Sequence, residues 1–171
     1  MGLNKYEKHL VVFLEDEPYR NILNGVKNSL NTNAHVIDIK EPCGGWKKVF
    51  DNLEDNLNLV KNNQNCHILL LMDFDDKSAG QLGSFQARRD KLDEMVPEQY
   101  RNRVFMLGVN HKEVENLKSF LKKSNLEEIG KLLIKDCPNS DLSSWGNTHL
   151  ECNLPEIERM RDSGIFKWLF S

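Results

Sequence analysis

A chain of 171 residues that is 39 % hydrophobic and carries a formal net charge of −3 has room for one domain with a modest appendage. That charge, with an isoelectric point near 6.0, excludes a broad basic surface for nucleic acid and leaves only local contact. Cys43, Cys66, Cys137 and Cys152 are widely spaced and form no C-x-x-C pair and no zinc-finger spacing, which predicts free thiols in a reducing, cytoplasmic setting.

Residues 9–14 (HLVVFL) read as the first strand, and they run straight into Glu15-Asp16-Glu17-Pro18. A helix should follow, because Tyr19, Ile22, Leu23, Val26 and Leu30 recur at helical spacing. Pro18 suits its first turn, where a missing N–H costs nothing. Asn31-Thr32-Asn33 reads as a turn and Ala34–Ile39 as a second, less buried strand. Next comes Pro42-Cys43-Gly44-Gly45-Trp46-Lys47-Lys48, then a helix striped by Trp46, Val49, Phe50, Leu53, Leu57 and Val60. A glycine pair leading into a helix can present bare N–H groups to an anion. Lys47 and Lys48 oppose the helix dipole there, so either one serves a ligand or both are solubilising side chains. The Walker spacing of a P-loop is absent.

The central stretch is Cys66-His67-Ile68-Leu69-Leu70-Leu71-Met72, which ends abruptly in Asp73-Phe74-Asp75-Asp76. Its length and its bounding suit a strand buried on both faces. If strand geometry continued, Asp73 and Asp75 would point to one side and repel each other unless a proton or a hard cation intervened. The plainer reading is an acidic loop facing water.

Lys77-Ser78-Ala79-Gly80 is read as a loop, and Leu82, Phe85, Arg89, Leu92 and Val96 trace a helical stripe that Pro97 ends. Arg88 and Arg89 fall inside that helix, and one of them is expected to lean toward the acids or toward a phosphate. Residues 103–108 (RVFMLG) make a fourth strand, followed by the loop Val109-Asn110-His111. A helix from about Lys112 to Lys123 would hold Glu113 and Glu115 in its first turn, where carboxylates are electrostatically comfortable. Ser124-Asn125-Leu126-Glu127 matches a capping box, and Asn153-Leu154-Pro155-Glu156 reads as another cap. Residues 136–150, with Trp145 and His149, have no period and predict a long loop. A short apolar helix closes the chain. Residues 1–10 lack the apolar core of a secretory signal, and no stretch is long enough to span a bilayer.

The alternation predicts an α/β fold: a mainly parallel sheet of four or more strands, with helices on both faces and further C-terminal helices. The expected division is a core over residues 1–123 and a helical extension over 124–171 packed on it. In a parallel sheet the two acidic clusters open on one edge. Glu15, Asp73, Asp75 and Asp76 would then offer hard oxygens to Mg²⁺ or Mn²⁺. Asp16, Lys47, Lys77, Arg88, Arg89, His111 and Glu113 are the groups available to support that site or to contact phosphate. Zinc is not expected, since the histidines are dispersed, and His9, His35 and His67 read as surface or boundary residues.

These motifs, taken in order, resemble a TOPRIM-type domain of the Rossmann-like class. That family carries a glutamate at the end of its first strand and a D-x-D after a later one. The resemblance makes Glu15 the glutamate and Asp73 and Asp75 the D-x-D, and it implies Mg²⁺. It is nearest to small stand-alone bacterial TOPRIM-like proteins related to the OLD-type nucleases. Their glycine/lysine turn corresponds to Gly44-Gly45-Trp46-Lys47, their arginine-bearing helix to Arg88-Arg89, and their glutamate-rich helix to His111-Lys112-Glu113-Val114-Glu115. It covers about residues 10–123. Where the family has Glu-Gly, this chain reads Glu15-Asp16, so the ligand within Glu15-Asp16-Glu17 stays open. The implied activity is Mg²⁺-dependent hydrolysis of a phosphodiester in nucleic acid, with a protein partner or a second copy as further expectations.

Two other readings compete. Leu14-Glu15-Asp16-Glu17-Pro18 also resembles the acidic pair of receiver-like signalling modules, in which Asp73 would accept a phosphoryl group. Alternatively the chain is an interaction subunit that keeps the fold without the chemistry.

Overall fold

The computed structural model describes residues 3–75, 83–110 and 113–170. Strand β1 (His9–Leu14) is buried at every position, as an unbroken apolar run requires. Helix α1 (Glu17–Lys27) follows, with Pro18 in its first turn and Tyr19, Ile22, Leu23 and Val26 turned inward. Leu30 falls beyond the helix and is 92 % exposed, because the chain turns at Asn31 with a left-handed backbone (φ 68°). The second predicted strand is shorter than its alternation implied. Ala34–Val36 form a 3-10 turn, and only Ile37–Ile39 make strand β2. The helix expected over 46–60 breaks at Leu57 into α2 (Trp46–Asn56) and α3 (Asn58–Asn62).

Strand β3 (Cys66–Phe74) is the central one, and helix α4 (Phe85–Met95) starts at Ser84, whose side chain accepts from Ala87 N. Strand β4 (Val104–Asn110) runs two residues beyond its expected end at Gly108. The helix expected near 112–123 is a 3-10 turn at Val114–Asn116 and a single turn, α5 (Leu117–Phe120). Then come α6 (Leu126–Asp136), α7 (Leu154–Asp162) and α8 (Ile165–Leu169). The cap of α6 lies one residue later than the box predicted. Asn125 accepts from Glu128 N at 2.9 Å, while the Glu128 carboxylate takes Ser124 N and Oγ.

All pairings are parallel and the strand order is β2-β1-β3-β4. Alternate residues of each strand feed two cores. On one face α1 and α6 to α8 cover Leu10, Val12, Leu14, Leu69 and Leu71. On the other, α2, α3 and α4 cover Val11, Phe13, Ile68, Leu70 and Met72. The chain thus leaves β1 toward β2 under one face and returns to β3 under the other. The strand order switches direction between β1 and β3, which is where open α/β sheets make their ligand crevice.

The C-terminal segment seats against this core at three places, the last of them Asn33, whose N donates to Leu169 O at 2.8 Å. Helices α1 and α6 cross with backbone in contact: a Cβ on Gly25 would stand 2.0 Å from Glu127 O, and one on Gly130 would stand 2.0 Å from Ile22 O. The second place is the outer edge of β4, where side chains stand in for a fifth strand. Gly108 N and O bond to Asn153 Oδ1 and Nδ2 at 2.9 and 2.7 Å. Met106 N donates to Glu156 Oε2 at 2.8 Å, Arg159 Nη2 donates to Val104 O at 2.6 Å, and Asn110 N donates to His149 O at 2.8 Å. These bonds occupy the edge and close it to another strand. The long loop is ordered by Trp145, which is buried and donates to Leu133 O at 3.0 Å. Among the described residues, no helix is long and apolar enough to cross a membrane.

Candidate functional site

The carboxyl ends of β1 and β3 bring Glu15 and Asp73 together. The strands are in register through Leu14 and Leu71, and Glu15 N still donates to Leu71 O at 2.9 Å. Beyond that point the β1 backbone veers toward α1, and Glu15 O accepts from Gly44 N at 2.9 Å instead of from β3. The side chain continues the ladder in its place: Glu15 Oε2 accepts from Asp73 N at 2.7 Å. The turn at Gly44 and Gly45, with positive φ of 86° and 149°, is thereby tied to the site's backbone.

Tyr19, on the first turn of α1, donates its hydroxyl to Asp73 Oδ1 at 2.6 Å and accepts from Val109 N at 3.2 Å. It is 3 % exposed. Three adjacent strands are linked through this one phenol and the Glu15 carboxylate. Behind Asp73 lies Arg88, also buried, which donates from Nη1 to Asp73 O. Its guanidinium sits 4.3 Å from the centre of the Trp46 ring and 5.5 Å from that of Phe74.

The electrostatics follow from crowding. Burial, then Glu15 and Asp16, push the Asp73 carboxyl up to about 7, against the lowering pull of the Tyr19 hydroxyl and the Val114 N–H. Asp16 is raised to about 6 by burial and by Glu15, Glu113 and Glu115. Its Oδ1 is buried and has no hydrogen-bond partner among the described residues. Burial lowers the Arg88 guanidinium, and Glu15, Asp73, Tyr19 and Asp75 oppose that. Tyr19 is pushed well up by burial and by Asp73, so it is a neutral donor.

The other expected residues divide. Strand β3 ends at Phe74, so the alternation that would align Asp75 with Asp73 stops there; Asp75 is exposed and its N–H donates to Gly83 O at 2.8 Å. Lys47 lies over the Trp46 ring, 5.7 Å from its centre. Glu113 is exposed, at the start of the 3-10 turn, and acts on the site through its charge on Asp16. Of the two arginines, Arg88 reaches the acids. Arg89 turns the other way, pairing with Glu156 at 2.7 Å and Asp93 at 2.8 Å on the β4 edge. Asp76, Lys77 and His111 lie outside the described residues. His9 and His67 are buried, not surface residues, and burial lowers His67 to about 4. Among the described residues, no three His, Cys, Asp or Glu side chains group closely enough to hold one metal ion.

Sequence reasoning placed Tyr19 in the core stripe and missed its bond to Asp73. The available signal was a hydroxyl on the buried face of a helix that starts beside the acidic cluster, since a buried phenol needs a partner.

No family model, no curated protein and no solved structure matches this chain.

Proposed function

We propose that this chain carries out metal-dependent phosphoryl transfer, with hydrolysis of a phosphodiester in nucleic acid as the reaction, in the manner of the TOPRIM-like domains it resembles. The observation that carries this reading is the joining of Glu15 and Asp73 across β1 and β3, at the switch point of a parallel sheet. Their donor chemistry fits Mg²⁺ or Mn²⁺, which take one or two carboxylates from a protein and keep their waters for exchange with substrate phosphates. Asp16 adds negative charge to the same strand end, raising the Asp73 carboxyl, without joining the two as a third ligand among the described residues. Such an ion, when bound, polarises a phosphoryl oxygen and lowers the pKa of a bound water.

The chain's own residues do the rest. Tyr19 and the Glu15–Asp73 bond hold the two carboxylates in fixed orientation. Arg88 supplies the buried positive charge beneath them, and its burial reserves it for the site rather than for substrate. The net charge of −3 makes substrate contact local, with Lys47 beside the Gly44-Gly45 turn as a phosphate contact, or else supplied by a partner protein. The test is incubation of single-stranded DNA, duplex DNA and RNA with the protein and Mg²⁺ or Mn²⁺. Cleavage that stops with chelator and with Asp73→Asn supports the reading. No cleavage of any of the three overturns it.

A receiver-like role is the second reading, favoured by the strand order, which such modules share, and by acids at the end of β1. It predicts Mg²⁺-dependent phosphorylation of Asp73 by a small phosphodonor such as acetyl phosphate, seen as a mass increase that Asp73→Asn lacks. Failure of both assays leaves an interaction subunit.

A further inference from the structure

Resting on the nucleic-acid reading above for its choice of polymer, we infer that a groove at the opposite end of the sheet from Glu15 and Asp73 holds single-stranded nucleic acid. The groove encloses about 1520 Å³ and opens at His9 and Cys66, the first residues of β1 and β3. That exceeds the roughly 300–1,000 Å³ of small-molecule pockets and suits an extended chain. The floor reaches the buried Val11 and Val60, and the walls carry Lys5, Lys40, Lys61 and Arg103 against Asp38 and Asp55. The lining is therefore cationic in a chain whose net charge is −3. Lys40 pairs with Asp38 at 2.7 Å, and Arg103 donates to Val60 O, Asn63 O and Cys66 O. Lys5 and Lys61 are exposed and form no ion pair among the described residues, so they are the groups that would meet phosphates. Tyr6 lines the same groove and is 93 % exposed. Its exposure is not looseness: Tyr6 N donates to Asn4 Oδ1 at 3.0 Å, and Tyr6 O accepts from Asn65 Nδ2 at 3.1 Å. Asn63 Nδ2 holds Lys5 O at 3.0 Å, and Leu3 packs against the second core. The segment is pinned with its leucine inward and its phenol outward. A ring on a fixed backbone beside a cationic groove is a stacking platform for an unpaired base, whose faces a duplex would hide. The exposed carboxamides of Asn62 and Gln64 line the groove too and can bond to base edges. An acidic peptide would answer the lysines alone.

The length of β1, about 20 Å, separates the groove from the acids, so binding here needs neither a cation nor Asp73. The test is fluorescence anisotropy of short end-labelled single-stranded DNA and RNA with the full chain and chelator. Wild type should bind one or both at low salt, the matching duplex should bind more weakly, and Asp73→Asn should bind as wild type does. Tyr6→Ala should lose roughly ten-fold in affinity. The double variant Lys5→Gln, Lys61→Gln should flatten the salt dependence. Its slope of log affinity against log salt should fall by about 1.4, since each phosphate contact to a single strand contributes about 0.7. All three side chains are exposed, and circular dichroism checks that both variants stay folded. No binding of either strand by wild type overturns the groove even where cleavage is seen, and so does binding that these substitutions leave unchanged. Displacement by polyglutamate that Tyr6→Ala does not weaken also overturns it, and would give the groove to an acidic protein segment. Binding with the expected losses, but without cleavage in the metal assay, keeps the groove and overturns the hydrolysis alone.

Discussion

Asn153 presents its carboxamide to Gly108 as a neighbouring strand would, accepting from Gly108 N at 2.9 Å and donating to Gly108 O at 2.7 Å. The side chain is fully buried, and Nδ2 also reaches Leu150 O at 2.9 Å. One amide thus finishes the edge of β4 and fixes the path of the C-terminal segment.

Replacing it should be costly. Asn153→Leu keeps the approximate volume but leaves Gly108 N and O without partners in the core. The expected loss is about 2–4 kcal/mol in urea unfolding, because each orphaned buried group costs about 1–3 kcal/mol. A change under roughly 0.5 kcal/mol, the size seen at ordinary surface sites, would contradict the strand-mimic account.

The crossing of α1 and α6 gives a second prediction. At Gly130 an added methyl would stand 2.0 Å from Ile22 O and 3.1 Å from Val26 N, both main-chain atoms that cannot swing aside. Gly130→Ala should destabilise by about 1–3 kcal/mol, although alanine is the better helix former by about 1 kcal/mol. Thermal unfolding decides it, and a rise in melting temperature would mean that the helices can part without loss.

The acidic site has a pH signature. Asp73 is raised in the folded chain from 3.8 to about 7. Below about pH 4 both states hold the proton and nothing is lost. Between there and pH 7 the native state binds more protons than the unfolded one, so stability falls as pH rises, and above 7 the penalty is complete. Asp73→Asn has no such penalty and can still accept the Tyr19 hydroxyl. With chelator present, its stability relative to wild type should climb from pH 4 to pH 7 and then level off. The gain is on the order of 2–4 kcal/mol. Parallel profiles for the two proteins would show that Asp73 is not held in a charge-repelling, desolvated place.

The sheet was legible because β1, β3 and β4 are unbroken apolar runs, and a run of that kind has few places to go except the middle of a covered sheet. Glu15 and Asp73 were legible for the same reason, since the end of each run is visible. What stayed hidden depends on partners remote in sequence. Asn153 and Glu156 have the spacing of a helix cap, and nothing local says that they bond to Gly108 and Met106 instead. Arg88 and Arg89 are adjacent and chemically alike. Which one enters the site is set by the face that α4 lays on the sheet, and the sequence reading left the two open; Arg88 enters and Arg89 pairs with Glu156. The helix expected after Lys112 shrank to a single turn at α5, where the left-handed backbone of Lys122 (φ 54°) marks its end.

The central claim is that Glu15 and Asp73 hold one divalent cation between β1 and β3. Calorimetric titration of Mg²⁺ and Mn²⁺ into wild type, beside a Glu15→Gln, Asp73→Asn double variant, tests it most directly. The account predicts saturable binding of one ion by wild type and none by a variant that is still folded. Equal binding by both proteins, or none by wild type at millimolar metal, would contradict it.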